Sequence, residues 1–374
     1  MNSITSSLTG ELETWLKEQN QPAFRYRQIV NWMFAGRAGS FADMTNLPQS
    51  LRDALSRDFR LWSTQVTRHT KAADGTEKLL LQFRDTSQIE CVLLREGQRR
   101  TICISTQVGC AMGCVFCASG LDGIKRNLTT DEIIEQMLRL QRLLPLEERL
   151  SHIVVMGMGE PLANLDYLLP ALDWAHADRG LGISARRITI STVGLPKSID
   201  RLSRLAIPYH LAVSLHAPTD PLRNRLVPVN HQIGLQSIME ASDRYFEVSG
   251  RRLTFEYVLL AEENDRVEQA QQLARLLQGR NALLNIIPYN TVDDLPYRTP
   301  TPHAVQQFCK ALTSQGIQVQ VRQRKGDKIN AACGQLRRTT EMDSSDQAPG
   351  LNSPVVNLDR PFSNPDQQSS KSQE

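Results

Sequence analysis

The stretch TICISTQVGCAMGCVFCASG, residues 101–120, joins a strand-like apolar run to a glycine-rich loop that holds three cysteines. The loop spaces Cys110, Cys114 and Cys117 as C-x3-C-x2-C. Zinc sites usually take two cysteines from each of two places, and iron–sulfur clusters prefer four thiolates. Three ligands this close together indicate a metal centre with one position left open, as catalytic centres have. Cys103, seven residues before Cys110, is a possible fourth ligand by proximity alone.

From Thr101 onward, strand-like runs alternate with longer amphipathic segments. The runs are TICIST, HIVVMGM, RITIST, HLAVSLH, TFEYVLL, LLNIIPY and IQVQVR, and the helical segments include DEIIEQMLRLQRLL, LDYLLPALDWA and VEQAQQLARLLQ. This alternation predicts an α/β fold in which crossover helices cover a parallel sheet, as in a partial or complete β/α barrel. Active sites of such barrels lie at the C-terminal ends of the strands, so we expect the three-cysteine loop at the barrel mouth.

The first 95 residues follow a different pattern. Helical spacing of apolar residues predicts helices in ELETWLKEQN, YRQIVNWMF and LPQSLRDALSRDF, and EKLLLQFRD and SQIECVLLRE are typical of a hairpin. We therefore expect an N-terminal helical module with a hairpin over residues 1–95 and an α/β core over 96–338. In FRYRQIVNW, aromatic rings lie beside Arg25 and Arg27, which fits RNA binding or ordinary helix packing equally well.

Composition limits the class of protein. Residues 339–374 are rich in Ser, Asp, Asn, Gln and Pro without an apolar period, which predicts a disordered tail. This tail carries six acidic and two basic side chains, which leaves 41 basic against 34 acidic residues in the rest of the chain. That balance is compatible with a nucleic-acid partner and equally with a solvated surface. Seven cysteines in 374 residues indicate a reducing compartment. Since no run approaches the roughly 18 apolar residues of a membrane span, and the N-terminus lacks signal-peptide features, we expect a cytoplasmic protein.

The segment CAMGCVFC, with Phe116 before the last cysteine, resembles the signature of radical S-adenosylmethionine enzymes. Five further motifs narrow the resemblance to bacterial adenine-C2 RNA methyltransferases, and they occur in the order MGMGEPL, ISTVGLP, VSLHAP, IIPYN and INAACGQL. The resemblance reaches from the N-terminal helices to about Leu336. It implies a radical S-adenosylmethionine partial (β/α)6-type barrel in which the three thiolates hold one [4Fe-4S] cluster. The amino and carboxylate groups of S-adenosylmethionine would take the fourth iron, which Cys103 therefore need not ligate.

The resemblance also implies roles for residues that follow the predicted strands. It assigns contacts with S-adenosylmethionine to Gly159, Glu160, Ser191, Ser214, Leu215, His216 and Asn290. Glu160 is suited to the amino group because a carboxylate pairs with an ammonium in a partly desolvated site. Taken singly, His216 or Asn290 is more often an ordinary polar group at a strand end.

Three further residues acquire catalytic roles by the resemblance. Cys333 would carry the methyl group as S-methylcysteine, and Lys325, Lys328, Arg337 and Arg338 around it favour a thiolate and suit an RNA backbone. Cys103 would resolve the covalent intermediate by forming a transient disulfide with Cys333. Glu90 would accept the proton from adenine C2, although its periodicity alone suggests a surface carboxylate. Cys91 and Cys309 match no such role, and we interpret both as structural.

The implied reaction uses two molecules of S-adenosylmethionine. One methylates Cys333. Reductive cleavage of the other gives a 5′-deoxyadenosyl radical that activates the S-methyl group. A radical is needed because electron-poor adenine C2 does not attack a methyl sulfonium. The expected substrates are adenosine 2503 of 23S rRNA and adenosine 37 of tRNA, and the target base must be unstacked first. We expect a monomer served by a ferredoxin- or flavodoxin-type electron donor.

Two alternatives remain open from sequence alone. A related enzyme class methylates adenine C8 of 23S rRNA with the same local motifs. A non-catalytic iron–sulfur RNA-binding factor would also use the cysteine loop, but it would leave MGMGEP, Cys103 and Cys333 without a purpose.

Overall fold

The computed structural model describes residues 2–293, 295–322, 326 and 329–337. The expected disordered tail over 339–374 lies outside the described residues. Arg338, where we expect the core to end, and the cations at Lys325 and Lys328 also lie outside them.

Helices occur in the N-terminal region and between the strands of the core. They are α1 (Glu11–Glu18), α2 (Phe24–Phe34), α3 (Gln49–Asp58), α4 (Thr130–Gln141), α5 (Leu165–His176), α6 (Pro196–Ser203), α7 (Asp220–Leu226), α8 (Asn230–Ile233), α9 (Leu235–Ser249), α10 (Val267–Leu277) and α11 (Pro302–Thr313). The strands are β1 (Asn2–Ser3), β2 (Phe59–Arg60), β3 (Gln65–Lys71), β4 (Glu77–Gln82), β5 (Gln88–Glu96), β6 (Arg99–Cys103), β7 (Gln107–Gly109), β8 (Ile124–Asn127), β9 (His152–Val155), β10 (Ile188–Thr192), β11 (His210–Ser214), β12 (Leu253–Leu259), β13 (Ala282–Pro288) and β14 (Val319–Val321).

One sheet of ten strands organises the described chain, in the order β14-β13-β12-β11-β10-β9-β6-β5-β4-β3. Within this sheet, β6 and the strands from β9 to β14 pair in parallel. Helices cover the outer face, where Tyr257 of β12 packs on Phe308 of α11 with ring centroids 5.3 Å apart. The predicted α/β architecture is confirmed, and the linear strand order makes the barrel partial rather than closed.

The N-terminal hairpin extends this same sheet. Antiparallel pairing joins β4 to β5 and β5 to β6, with Leu80 opposite Glu90 and Val92 opposite Cys103. The sequence patterns missed β3, since its residues QVTRHTK are mostly exposed and show no apolar alternation. Pairing with β4 holds β3 in place. The division at residue 96 stays a prediction, because the sheet runs across it.

Buried polar contacts attach the N-terminal region to the core. Glu135 of α4 is fully buried, and its carboxylate accepts hydrogen bonds from the backbone N–H and hydroxyl groups of both Ser63 and Thr64. Arg139, one turn further along α4, lies 4.1 Å from the centroid of the Trp62 ring. The segment leading into β3 is therefore fixed against the helix that follows the cysteine loop.

Within the described part of the chain, no helix combines the length and apolar character needed to cross a membrane.

Candidate active site

A cavity of about 900 Å³, including its open mouth, lies at the C-terminal ends of the parallel strands. Its lining includes side chains from the cysteine loop, from the ends of β9 to β13 and from the segment around Cys333. The three-cysteine loop therefore lies at the mouth of the partial barrel, as the strand pattern predicted. Several predicted strands end early, as TICIST ends at Cys103 and HIVVMGM at Val155. The remaining motif residues form the loops of the cavity.

The cysteine loop takes its shape from two glycines and a short hairpin. Gly109 has φ +80°, and a Cβ there would lie 2.0 Å from the carbonyl oxygen of Gly123. This close approach lets the Cys110 N–H bond that same carbonyl at 3.0 Å, and β7 pairs with β8 beside it. Only a residue without a side chain fits at position 109. The close approach at this glycine fixes the start of the cysteine loop, which runs from β6 into the cavity.

The three loop cysteines all line the cavity, and the chemistry of this donor set fits an iron–sulfur cluster. Burial, helped by the charges of neighbouring thiolates, raises the pKa of Cys110 to about 12 and that of Cys114 well above its usual range. Three crowded thiolates therefore need cations, which iron supplies. Among the described residues, no three His, Cys, Asp or Glu side chains converge on a single point as ligands of one ion do. A cluster does not require that convergence, since each thiolate binds its own iron.

Glu160 and Gly159, at the end of the β9 motif, form the cavity wall beside the cysteines. The Glu160 carboxylate is 2% exposed and accepts hydrogen bonds from the N–H groups of Leu162 at 3.0 Å and Val193 at 2.9 Å. Burial raises its pKa, which the N–H donors partly offset. A buried carboxylate beside an open cavity is a suitable partner for the ammonium group of an amino acid.

Of the other expected cofactor contacts, Ser191, Ser214, His216 and Asn290 line the cavity. His216 adopts φ +59°, its Nδ1 accepts from the Val258 N–H at 3.0 Å, and burial lowers its pKa to about 3. The imidazole is therefore neutral, with the proton on Nε2. Among the described residues Asn290 Oδ1 is buried without a partner, so a ligand donor fits there.

Leu215 lies differently from the other expected contacts. Its side chain is fully buried in the core and is not part of the cavity lining. Only its backbone relates to the site, because the Leu215 carbonyl accepts a hydrogen bond from Arg223 Nε at 3.0 Å.

Arg223 is not part of the cavity lining, but it contacts the strand ends that form the cavity, and the sequence patterns missed it. It is fully buried, and its guanidinium also donates to the carbonyls of Val193 at 2.5 Å and Ser214 at 2.9 Å. These bonds join the ends of β10 and β11. The segment TDPLRNRL that follows VSLHAP is mostly polar, so a cation at position 223 gives no sequence signal of its burial.

Cys333 is exposed and lines the same cavity as the three loop cysteines. Hydrogen bonds hold its backbone to the cysteine loop, from Ala118 N–H to the Gly334 carbonyl at 2.8 Å and from the Ser119 hydroxyl to the Leu336 carbonyl at 2.6 Å. The Asn290 amide also donates to the Cys333 carbonyl at 3.3 Å.

Cys103 lies at the end of β6 and is almost fully buried. Burial raises its pKa to about 12, and the charge of Cys333 contributes in the same direction. All seven cysteines are free thiols, so the expected disulfide bond is not supported in this state. Arg322 is a cation near Cys103 and Cys333, and its pKa is raised chiefly by the charge of Cys333.

Glu90 is buried, contrary to its periodicity, which suggested a surface carboxylate. Its carboxylate forms an ion pair with Lys78 at 2.7 Å and accepts from the Arg337 N–H at 3.1 Å. The reason is the tertiary contact: the segment after Cys333 covers this face of the hairpin. Burial raises the pKa of Glu90, and the Lys78 charge opposes that rise.

Cys91 is fully buried in the core, and the partly buried Cys309 of α11 packs against the same core. Neither lines the cavity.

The helix formed by FRYRQIVNW has a buried side and an exposed side. Ile29 and Val30 are buried, while Phe24 is 52% exposed with the Arg25 guanidinium 4.9 Å from its ring centroid. The buried residues fit helix packing, and the exposed Phe24 and Arg25 fit RNA binding, so both interpretations of this helix stay open.

Comparison with known proteins adds two family matches. Residues 104–276 match the radical SAM superfamily, and residues 7–61 match the ribosomal RNA large subunit methyltransferase N-terminal domain. The chain is 61% identical over 337 residues to a probable dual-specificity RNA methyltransferase RlmN of Rhodopirellula baltica, covering 90% of this chain and 91% of that protein. It is 43% identical to the corresponding Bacillus cytotoxicus protein, covering 90% and 93%. A crystal structure of a radical SAM methyltransferase from Sphaerobacter thermophilus matches with a TM-score of 0.86 at 40% identity, covering 90% of this chain and 99% of that one.

Proposed function

The chain belongs to the RlmN family of dual-specificity RNA methyltransferases within the radical SAM superfamily, and we propose that Cys333, Cys103 and Glu90 are its reacting side chains. It is a transferase that methylates C2 of adenine in rRNA and tRNA. Family membership decides against the adenine-C8 alternative and against a non-catalytic binding factor. Adenosine 2503 of 23S rRNA and adenosine 37 of tRNA are consistent with this family as the target nucleotides.

The enzyme uses a [4Fe-4S] cluster and S-adenosylmethionine. When bound, they supply the methyl group and the radical that makes it reactive toward adenine C2. Cys110, Cys114 and Cys117 would hold the cluster, and Glu160 would bind the amino group of the cofactor. Ser191, Ser214, His216 and Asn290 would contact the rest of it, with Gly159 and Leu215 contributing backbone. The neutral His216 has its Nε2–H available as a donor.

Within this proposal, Cys333 accepts the methyl group and carries it to the base. The observation that carries the proposal is that Cys333 lines the same cavity as the three-cysteine loop. Glu90 then takes the C2 proton, and Cys103 attacks the Cys333 sulfur to release the product.

The environment of Cys103 supports this order of events. A charged Cys333 raises the pKa of Cys103, whereas a Cys333 sulfur bonded to carbon carries no charge. Cys103 therefore becomes easier to ionise once Cys333 is loaded. Arg322 lowers the pKa of Cys103 and supports the thiolate.

We further propose an accessory RNA-binding module over residues 1–95, a catalytic core over 96–338 and a tail over 339–374. The exposed Phe24 and its neighbour Arg25 support the first assignment, since an aromatic ring and a cation suit an unstacked base. We propose that the enzyme acts as a cytoplasmic monomer with a ferredoxin- or flavodoxin-type donor.

Anaerobic reconstitution with rRNA fragments and tRNA, followed by mass spectrometry of the nucleosides, tests the proposal. Wild-type enzyme should form 2-methyladenosine in both RNAs. Cys333→Ala should abolish product and protein methylation, because the methyl carrier is absent. Cys309→Ala, which changes a cysteine outside the cavity, is the matched control and should retain both. An unchanged rate in Cys333→Ala would disprove the carrier role.

A further inference from the structure

Lys78 of β4 is a nearly buried lysine with no role in the proposed function. Its Nζ lies 2.7 Å from Glu90 Oε1 and donates to the Asn330 carbonyl at 3.0 Å. The side chain is 10% exposed, so the ammonium is largely removed from water. Such burial is costly unless each contact is well placed, and a buried ion pair is weak evidence for stability by itself.

The two contacts connect β4 with the Cys333 segment, which we define as residues 329–337. Asn330 lies three residues before Cys333. On the other side, the Arg337 N–H donates to Glu90 Oε2 at 3.1 Å, four residues after Cys333. The Lys78–Glu90 pair therefore holds the backbone on both sides of the reactive cysteine.

This arrangement matters because two groups must act on a single carbon. Cys333 delivers its methylene carbon to adenine C2, and Glu90 removes the proton from adenine C2. The separation of the two groups must therefore be fixed, since a displacement of about 1 Å can cost about a hundredfold in rate. Lys78 contacts both the carboxylate and the segment that carries Cys333.

We propose that Lys78 is a positioning residue for the methyl transfer, which holds the Glu90 carboxylate and the Cys333 segment in one arrangement. The inference rests on the proposed roles of Glu90 and Cys333. Arg68 is another charge near Glu90, but Lys78 is the described cation that contacts both the carboxylate and the segment.

The proposal predicts which step depends on Lys78. Methylation of Cys333 does not use Glu90. Resolution does: as Glu90 takes the C2 proton, the adduct radical gives up its unpaired electron to the oxidised form of the proposed ferredoxin- or flavodoxin-type carrier, which restores the closed-shell adenine ring. The Cys103 thiolate then forms the S–S bond with Cys333, and the bond from Cys333 sulfur to the methylene carbon breaks. The electron pair of that bond passes to the methylene carbon on adenine, which takes up a proton to become the methyl group. A displaced Glu90 should therefore stop the reaction at the covalent protein–RNA adduct.

The test compares Lys78→Met and Lys78→Arg in reconstituted full-length enzyme with S-adenosylmethionine, a reductant and an rRNA fragment. Three quantities are measured: the mass of the Cys333 peptide, the adduct that survives denaturation, and 2-methyladenosine. Lys78→Met should methylate Cys333 within about twofold of wild type, accumulate adduct and form at least about tenfold less product. Lys78→Arg should recover product, because a guanidinium can bond both acceptors.

The control is Lys71→Met on β3, which changes a lysine whose side chain is 66% exposed. It should match wild type in all three measurements. Product from Lys78→Met at the wild-type rate would overturn the proposal. An equal loss of Cys333 methylation would also overturn it, because it would indicate a general folding role. If the wild type forms neither S-methylcysteine nor 2-methyladenosine, the proposed function itself fails, independently of Lys78.

Discussion

Single buried charges set the electrostatics of the site. Burial lowers the pKa of Arg223 to about 10, which still leaves the guanidinium charged at neutral pH. Its charge acts on Cys114 and Glu160, lowering the pKa of each. A planar guanidinium can satisfy several carbonyls and also offset these anions, which lysine could not do with the same geometry. Arg223 therefore supports both the shape and the charge balance of the cavity.

His152, the first residue of β9, should give the stability of the protein a dependence on pH. Burial lowers its pKa from 6.5 to about 4, and the charges of Arg99 and Arg187 add to the effect. Between these two values the unfolded chain binds a proton that the folded chain does not. The stabilisation is therefore complete above pH 6.5 and is lost as the pH falls toward 4.

His152→Gln removes this titration and keeps a polar side chain. Urea unfolding across the same pH range should show a shallower decline in the variant than in the wild type. Equal slopes in the two proteins would contradict the assignment.

At the scale of elements, the turn after β9 depends on one glycine. Gly159 has φ +99°, and a Cβ there would lie 2.5 Å from the Gln107 Cβ and 2.8 Å from its backbone nitrogen. Gln107 in turn accepts a hydrogen bond from the Glu160 N–H at 2.8 Å. The position of the Glu160 carboxylate therefore depends on close contact between the β9 turn and β7.

Gly159→Ala should lower the free energy of unfolding by about 1–3 kcal/mol or more, because backbone strain and a steric clash act together. It should also weaken binding of S-adenosylmethionine, since Glu160 must move. Equilibrium unfolding and isothermal titration calorimetry measure the two effects.

Gly279→Ala is the matched control, because Gly279 has φ +80° and a Cβ added there would meet open space. Gly279→Ala should lower the free energy of unfolding through backbone strain alone and should bind S-adenosylmethionine as the wild type does. Equal binding losses in the two variants would refute the role assigned to the Gln107 contact.

At the scale of the whole molecule, the sheet and α4 together unite the N-terminal region with the core. The Glu135 carboxylate receives four hydrogen bonds from the segment before β3. Arg37, further toward the N-terminus, donates to the Leu144 and Pro145 carbonyls at 2.7 Å, just beyond α4. An RNA bound by the N-terminal module would therefore be held in a fixed relation to the cavity.

Glu135→Gln should destabilise the protein by about 2 kcal/mol, since an amide nitrogen replaces an oxygen that accepts from buried donors. Urea unfolding followed by circular dichroism provides the measurement. Glu240→Gln makes the same change on an exposed helix face and should leave the midpoint unchanged. A Glu135→Gln midpoint equal to that of wild type would show that this contact does not stabilise the molecule.

Local patterns in the sequence were enough to predict the parallel architecture and the position of the three-cysteine loop at the barrel mouth. Continuous apolar strands alternating with amphipathic helices are a local signal, and the cysteine spacing is local too. Motifs such as MGMGEPL and VSLHAP placed Glu160, Ser214 and His216 at the strand ends, and these residues line the cavity, whereas Leu215 does not.

The environments of Glu90, Lys78 and Arg223 could be known only from the folded chain. The periodicity of Glu90 suggests a surface carboxylate, but the Cys333 segment, more than two hundred positions later, covers both Glu90 and Lys78. The alternation of a strand predicts which face a residue occupies but not what covers that face. Burial and charge pairing depend on contacts between distant parts of the chain, and these contacts set which carboxylate and which cation can take part in the reaction.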